Sequence, residues 1–137
     1  MRYKHRILIG LTGAIGKMGP QSQIITNKVG YLIGKELGDE MLKRNLINPK
    51  MTYREIWEVL NNEIQIDPSS VFEEKENKLT ITIENCNICP KKVGKYPIPG
   101  TACPVGGMFK GLCSCLGKEP EAEPELIPGK ICKIIIA

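Results

Sequence analysis

Glycine recurs at every fourth position of one amphipathic stretch, at Gly30, Gly34 and Gly38, and this restricts the chain more than any other feature. Over residues 22–46, Ile25, Val29, Ile33, Leu37 and Met41 also recur every four positions, with Leu32 alongside, which predicts a helix. The glycines sit one position further on, so they form a flat strip beside the apolar stripe. Each glycine costs roughly 0.5–1 kcal/mol against alanine inside a helix. A helix that carries three of them needs the close approach of another helix or of a ligand. The preceding segment has the same character. Leu8, Leu11, Ile15 and Met18 repeat at helical spacing, but Gly10, Gly13, Gly16 and Gly19 weaken the helix, so it too needs tertiary packing. Close packing of these two segments predicts a homodimer built on the N-terminal helices.

The remaining elements follow from local chemistry. Asn48-Pro49 should end the second helix. Thr52 and Glu55 form a capping box for a third helix, whose buried face is Tyr53, Ile56, Trp57, Leu60 and Ile64. Residues 71–75 and 78–84 alternate around a short Glu76-Asn77 link and read as a hairpin. Residues 86–100 hold Pro90, Pro97 and Pro99 and form a loop. A fourth helix opens over Thr101–Pro104, turns Val105, Met108, Phe109, Leu112 and Leu116 inward, and stops at Gly117. An extended acidic stretch over 119–125, a Pro128-Gly129 turn and a strand over 131–136 complete the chain. The expected fold is α+β in a single domain over 1–137: N-terminal helices, then an antiparallel sheet of about four strands. A Cys-rich loop and a helix lie between the two hairpins.

Six cysteines, Cys86, Cys89, Cys103, Cys113, Cys115 and Cys132, fall in the last 52 of 137 residues, and the first 85 residues have none. Cys86-x-x-Cys89 where a strand gives way to a loop is the usual form of half a tetrahedral thiolate site. Cys103 near a helix N-terminus and Cys132 early in the last strand complete a candidate set, with zinc as the default ion for four thiolates. Cys113 and Cys115 do not suit it, because two residues along a helix turn by about 200°. Small buried hydrophobes remain an alternative for several of these cysteines, and redox chemistry a third.

Composition narrows the function classes. Residues 1–54 carry ten basic and three acidic side chains (+7), and residues 55–137 carry nine and twelve (−3). The basic residues are dispersed, which reads as solvated helix faces. Few aromatic rings argue against base-stacking nucleic-acid recognition. No apolar run reaches the ~20 residues of a membrane span. The basic start and short apolar run superficially resemble a signal peptide, but glycines break the run, Lys17 interrupts it and no A-x-A-like site follows. A cytoplasmic location, with reduced or metal-bound cysteines, fits better. His5 is the only histidine, and no Walker A loop, G-x-S-x-G or H-E-x-x-H occurs.

Four segments together resemble the vinyl-4-reductase (4-vinyl reductase) family, which is similar in fold to haem-NO-binding and TRAPP transport-particle domains. They are Val29–Gly38, Glu84–Pro90, Ala102–Gly111 and Pro128–Ile134. The family typically has a Gly-bearing helix, a Cys before a Gly-rich helix, and a closing hairpin ending G-x-x-C. Its members often carry another Cys near the position of Leu126, which this chain lacks. The resemblance implies a small-molecule-binding or sensory domain, often dimeric through its N-terminal helices. An apolar pocket is then expected between sheet and helices, beside a cysteine metal site, with Trp57, Leu60, Met108, Phe109 and Leu112 nearest a hydrophobic ligand. The alternative is a reductase or accessory enzyme acting on a tetrapyrrole-like vinyl substrate.

Overall fold

The structure is a computed structural model and describes residues 2–95, 103–126 and 132–137, with the side chains of Arg2 and residues 124–126 left aside. Its elements are α1 (Arg2–Gly16), α2 (Ser22–Lys43), α3 (Tyr53–Ile64), β1 (Val71–Lys75), β2 (Lys78–Ile83), α4 (Val105–Ser114), β3 (Ala122–Leu126) and β4 (Cys132–Ile136). The four strands form one antiparallel sheet in the order β1-β2-β4-β3. This is the α+β arrangement expected from the sequence. Tyr96, Pro97, Pro99, Thr101, Ala102 and the Pro128-Gly129 turn lie outside the described residues.

The α2 glycine strip packs against α4 of the same chain. The buried side of α2 is Ser22, Thr26, Gly30, Gly34, Gly38 and Met41, and α4 answers with Gly107 and Gly111. A Cβ on Gly30 would strike the Pro104 carbonyl, and one on Gly34 the Met108 carbonyl. In return, a Cβ on Gly107 would strike the Asn27 carbonyl, and one on Gly111 the Tyr31 carbonyl. The two backbones are therefore in direct contact. The strip consequently does not face a second copy, which corrects its place in the expected dimer.

The other face of α4 enters the core. Val105, Phe109, Leu112 and Cys113 pack with Ile56, Trp57 and Leu60 of α3 and with Leu79, Ile81, Ile83, Ile134 and Ile136 of the sheet. Phe109 meets Tyr53 edge-on at 6.0 Å and lies 6.4 Å from Trp57.

Local signals behave as their chemistry requires. The Glu55 amide donates to Thr52 Oγ1 (3.2 Å) and the Thr52 amide to Glu55 Oε1 (3.0 Å), closing the capping box. Those bonds favour the ionised Glu55 carboxylate and lower its pKa. Glu76 and Asn77 both take positive φ, at 52° and 62°, the handedness a two-residue hairpin turn demands. Two boundaries differ from expectation. Helix α2 stops at Lys43, before Asn48-Pro49, because Asn45 turns left-handed (φ 57°) and the Leu46 amide reaches the Met41 carbonyl at 2.9 Å. On α1 the buried residues are Ile9, Thr12, Gly13 and Gly16, whereas Leu11 is 52% and Met18 67% exposed. The small residues, not the expected Leu8/Leu11/Ile15/Met18 repeat, let α1 approach its neighbours. Among the described residues no helix is long and apolar enough to cross a membrane.

Gly34→Ala should lower stability by about 2–3 kcal/mol, because the Met108 backbone cannot yield to the added methyl. Gly10→Ala, with open space around its Cβ, should instead raise stability by about 0.5–1 kcal/mol. Urea unfolding of both variants checks the pair.

Candidate ligand cavity and thiol cluster

An apolar cavity of about 440 Å³ lies where α1, α2, α3 and the cysteine loop meet. Its walls are Ile7, Leu8 and Leu11 from α1, Ile33, Leu37 and Met41 from α2, and Ile64 from α3. Ile88 of the loop and Met108 of α4 complete them. The cavity exists because α2 spends its glycine side on α4. The neighbouring stripe, Ile33, Leu37 and Met41, is left to face α1, and α1 is too rich in small residues to fill the gap. Lys4, His5, Glu40, Arg44 and Glu63 also line the cavity. His5 Nε2 donates to the Ile64 carbonyl at 2.7 Å, and Arg44 Nη1 lies 3.3 Å from Glu63 Oε2. These two bonds tie the N-terminal half of α1 and the end of α2 to the end of α3.

Of the five apolar positions named from the sequence, Met108 lines this cavity. Trp57, Leu60, Phe109 and Leu112 are fully buried in the closed core beneath it. The cavity is walled by helices and the cysteine loop, and not by the sheet. The residues that sequence reasoning did not assign to it are chiefly Leu8, Leu11, Ile33, Leu37, Ile64 and Ile88. Their one signal was a surplus of apolar surface on α1 and α2 beyond what a small-residue seam can bury.

The four candidate thiols come from three places. Cys86 and Cys89 flank a tight loop that leaves β2. Cys132 opens β4 opposite Ile83, the last residue of β2. Cys103 precedes α4 and is tied to α2 through Gln23, whose side-chain amide nitrogen donates to the Cys103 carbonyl at 3.1 Å. Backbone hydrogen bonding from Ile88 favours the Cys86 thiolate, and that from Val105 and Gly106 favours the Cys103 thiolate. Burial dominates nonetheless. It pushes the Cys86 and Cys103 thiols up to about 12, against the amides that favour their thiolates. Cys132 is raised for the same first reason, with the neighbouring Cys89 adding to it and Lys92 opposing. Cys86, Cys103 and Cys132 each feel the charge of Cys89, so the four are electrostatic neighbours. Among the described residues, however, no three His, Cys, Asp or Glu side chains form a ready-made ion site. Protonated buried thiols of this kind are poor nucleophiles.

Cys113 and Cys115 point apart, as helical spacing requires. Cys113 is enclosed in the core, and Cys115 Sγ lies 3.3 Å from the Lys35 carbonyl and 3.5 Å from Asp39 Oδ1 on α2. Burial holds the Cys113 thiol up at about 12, with Lys118 opposing and Cys115 adding. In the unfolded chain it titrates near its ordinary 9.0. The unfolded state therefore loses this proton first, so stability should fall as pH rises from about 9 towards 12. Cys113→Ala should make that fall shallower, read as the urea midpoint at pH 8, 9.5 and 11.

The chain belongs to the MJ0207 family, which matches residues 19–137. It is 32% identical over 97 residues to the uncharacterized protein MJ0207 of Methanocaldococcus jannaschii, covering 70% of this chain and 61% of that protein. It is 34% identical over 74 residues to the uncharacterized protein MJ1342 of the same organism, covering 53% of this chain and 60% of that protein. The chain thus matches about 60% of the length of each of these relatives. In fold it is similar to a trafficking protein particle complex subunit 3 from Naegleria fowleri, solved covalently bound to palmitic acid. The TM-score is 0.72 at 12% identity, over 99% of this chain and 95% of that one. That likeness is one of fold. The resemblance drawn from the sequence therefore holds as a related fold, of the TRAPP type, and the vinyl-4-reductase name is not carried by these matches.

Proposed function

We propose that this protein binds a hydrophobic small molecule in the cavity between α1, α2 and α3. The observation that carries the reading is the cavity itself. At about 440 Å³, with nine apolar side chains among the fourteen that line it, it has the size and character of a small-molecule site. The palmitic acid held by the trafficking-particle subunit supports a ligand with an extended acyl chain. Binding here would be non-covalent, since among the described residues no cysteine lines the cavity.

A ligand present at 100 times its Kd stabilises the native state by about 2.7 kcal/mol. A thermal-shift series with C12–C18 fatty acids should accordingly raise Tm by several degrees. Leu37→Trp, which puts an indole into the cavity, should abolish the rise without lowering the basal Tm as Gly34→Ala does. A wild type that no chain length stabilises would sink the reading.

The thiol cluster supports a second element, a cation site formed by Cys86, Cys89, Cys103 and Cys132. The strand pairing that sets Cys132 opposite Ile83, three residues before Cys86, is the observation that favours it. Zinc would supply the charge that displaces the thiol protons and would cross-link the loop, α4 and β4. Elemental analysis should find about one zinc per chain. Cys86→Ser should remove it, and Cys113→Ala should not.

The outer face of the helical layer supports a homodimer. Tyr3, Ile7 and Leu11 on α1, Met18 just beyond it, and Ile24 and Leu32 on α2 are exposed apolar side chains, Ile7 and Leu11 also lining the cavity. Leu32 lies midway between Lys28 and Glu36, so two antiparallel α2 helices crossing at Leu32 would pair each Lys28 with the other copy's Glu36. Leu32→Glu should then halve the mass seen by light scattering at micromolar concentration. All six cysteines are free thiols, which supports a reducing, cytoplasmic setting.

A further inference from the structure

Helix α1 turns its apolar side outward. Tyr3, Ile7, Leu11 and Ala14 are all exposed and follow one another at spacings of four, four and three residues. At 100° per residue they form one stripe about 80° wide, on the side of the helix opposite the buried Ile9, Thr12, Gly13 and Gly16. Met18, 67% exposed, continues the stripe just beyond the helix. A helix on the surface of a globular protein ordinarily shows water its polar side.

The charges around the stripe have one sign. Lys4 borders it on one side and Arg6 on the other, and both are exposed. Residues 1–35 contain Arg2, Lys4, Arg6, Lys17, Lys28 and Lys35, and no Asp or Glu. This decides what fits the face. A second copy finds opposite charges on α2, where Lys28 can meet Glu36, but α1 would offer it only cations against cations. An anionic lipid surface accepts the apolar stripe between acyl chains and the flanking cations among headgroups.

The stripe and the cavity share residues. Ile7 is 63% and Leu11 52% exposed, and both line the cavity. The cavity wall therefore reaches the outward face of α1.

We propose that the outward face of α1 docks this protein on an anionic lipid surface, and that the cavity exchanges its acyl ligand with the bilayer there. The exchange rests on the reading of the cavity as a hydrophobic-ligand site. The docking rests on α1 alone. The helix lies on the surface and does not enter it end-on, in keeping with its length and glycine content.

The experiment sediments the full chain with vesicles of phosphatidylcholine, alone or with roughly a third phosphatidylglycerol. Partition onto the anionic vesicles should be about tenfold higher or more, since each basic residue at such a surface is worth about fivefold. Added salt should reduce it. Tyr3→Asp with Met18→Asp, at two positions that do not line the cavity, should abolish vesicle binding. The same protein should keep the Tm rise given by free fatty acid in solution. Arg6→Gln should lower anionic binding about fivefold and keep the fold. Protein loaded with the fluorescent fatty acid cis-parinaric acid should release it to anionic vesicles at a rate proportional to vesicle concentration.

Wild type that ignores both vesicles, or binds both equally, overturns the docking. So does a double variant that binds like wild type. A double variant whose mass by light scattering is half that of a wild type that ignores vesicles assigns the face to a second copy and overturns the proposal. Transfer at a rate independent of vesicle concentration overturns the exchange. Vesicle binding without stabilisation by any free fatty acid overturns the cavity reading, and the exchange with it, and supports the docking alone.

Discussion

The contact between α2 and α4 is the constraint on which everything else hangs. Five glycines from two helices remove the side chains that would otherwise separate them, and the backbones meet. This places α4 at the centre of the molecule, with α2 on one side and the core on the other. From that position α4 carries Phe109 and Leu112 into the core, Met108 to the cavity and Cys103 to the thiol cluster. The α2 stripe of Ile33, Leu37 and Met41 is displaced sideways by the same contact, and the cavity follows.

A second fixed point lies at the other end of the thiol loop. Asp67 is fully buried, and its carboxylate accepts bonds from the Ser69 amide (2.9 Å), the Ser69 hydroxyl (3.0 Å), the Glu84 amide (3.0 Å) and the Asn85 amide (3.4 Å). Asn61 grips the same turn through the Asp67 amide and carbonyl. A carboxylate out of water is tolerable only when so fully bonded. Its effect is to join the end of α3 to the end of β2, immediately before Cys86. The cysteine loop therefore starts from a fixed base.

Much of the fold was legible because its signals are local. The Thr52/Glu55 box, the Glu76-Asn77 turn and the alternation of Leu79, Ile81 and Ile83 each depend on neighbours a few residues away. The glycine strip was legible as a demand for close packing, but not as a choice of partner, and α4 met a demand that a second copy could equally have met. The cavity was not legible. It is a residue of imperfect packing between four elements, and no single stretch encodes it. Trp57, Leu60, Phe109 and Leu112 look the same in sequence whether they line a hollow or close a core. Ile88 was hidden between two more conspicuous cysteines.

The glycine seam also has a chemical character that its small residues conceal. Where an added Cβ would strike a carbonyl, a glycine hydrogen already points at that oxygen. Gly30 and Gly34 address carbonyls of Pro104 and Met108, while Gly107 and Gly111 address those of Asn27 and Tyr31. The two helices thus exchange weak Cα–H···O bonds in both directions, each contributing about 0.5–1 kcal/mol. Such a seam is dipolar, not oily. It owes little to the release of water from apolar surface, and so it should keep its strength on cooling, when the hydrophobic core around it weakens.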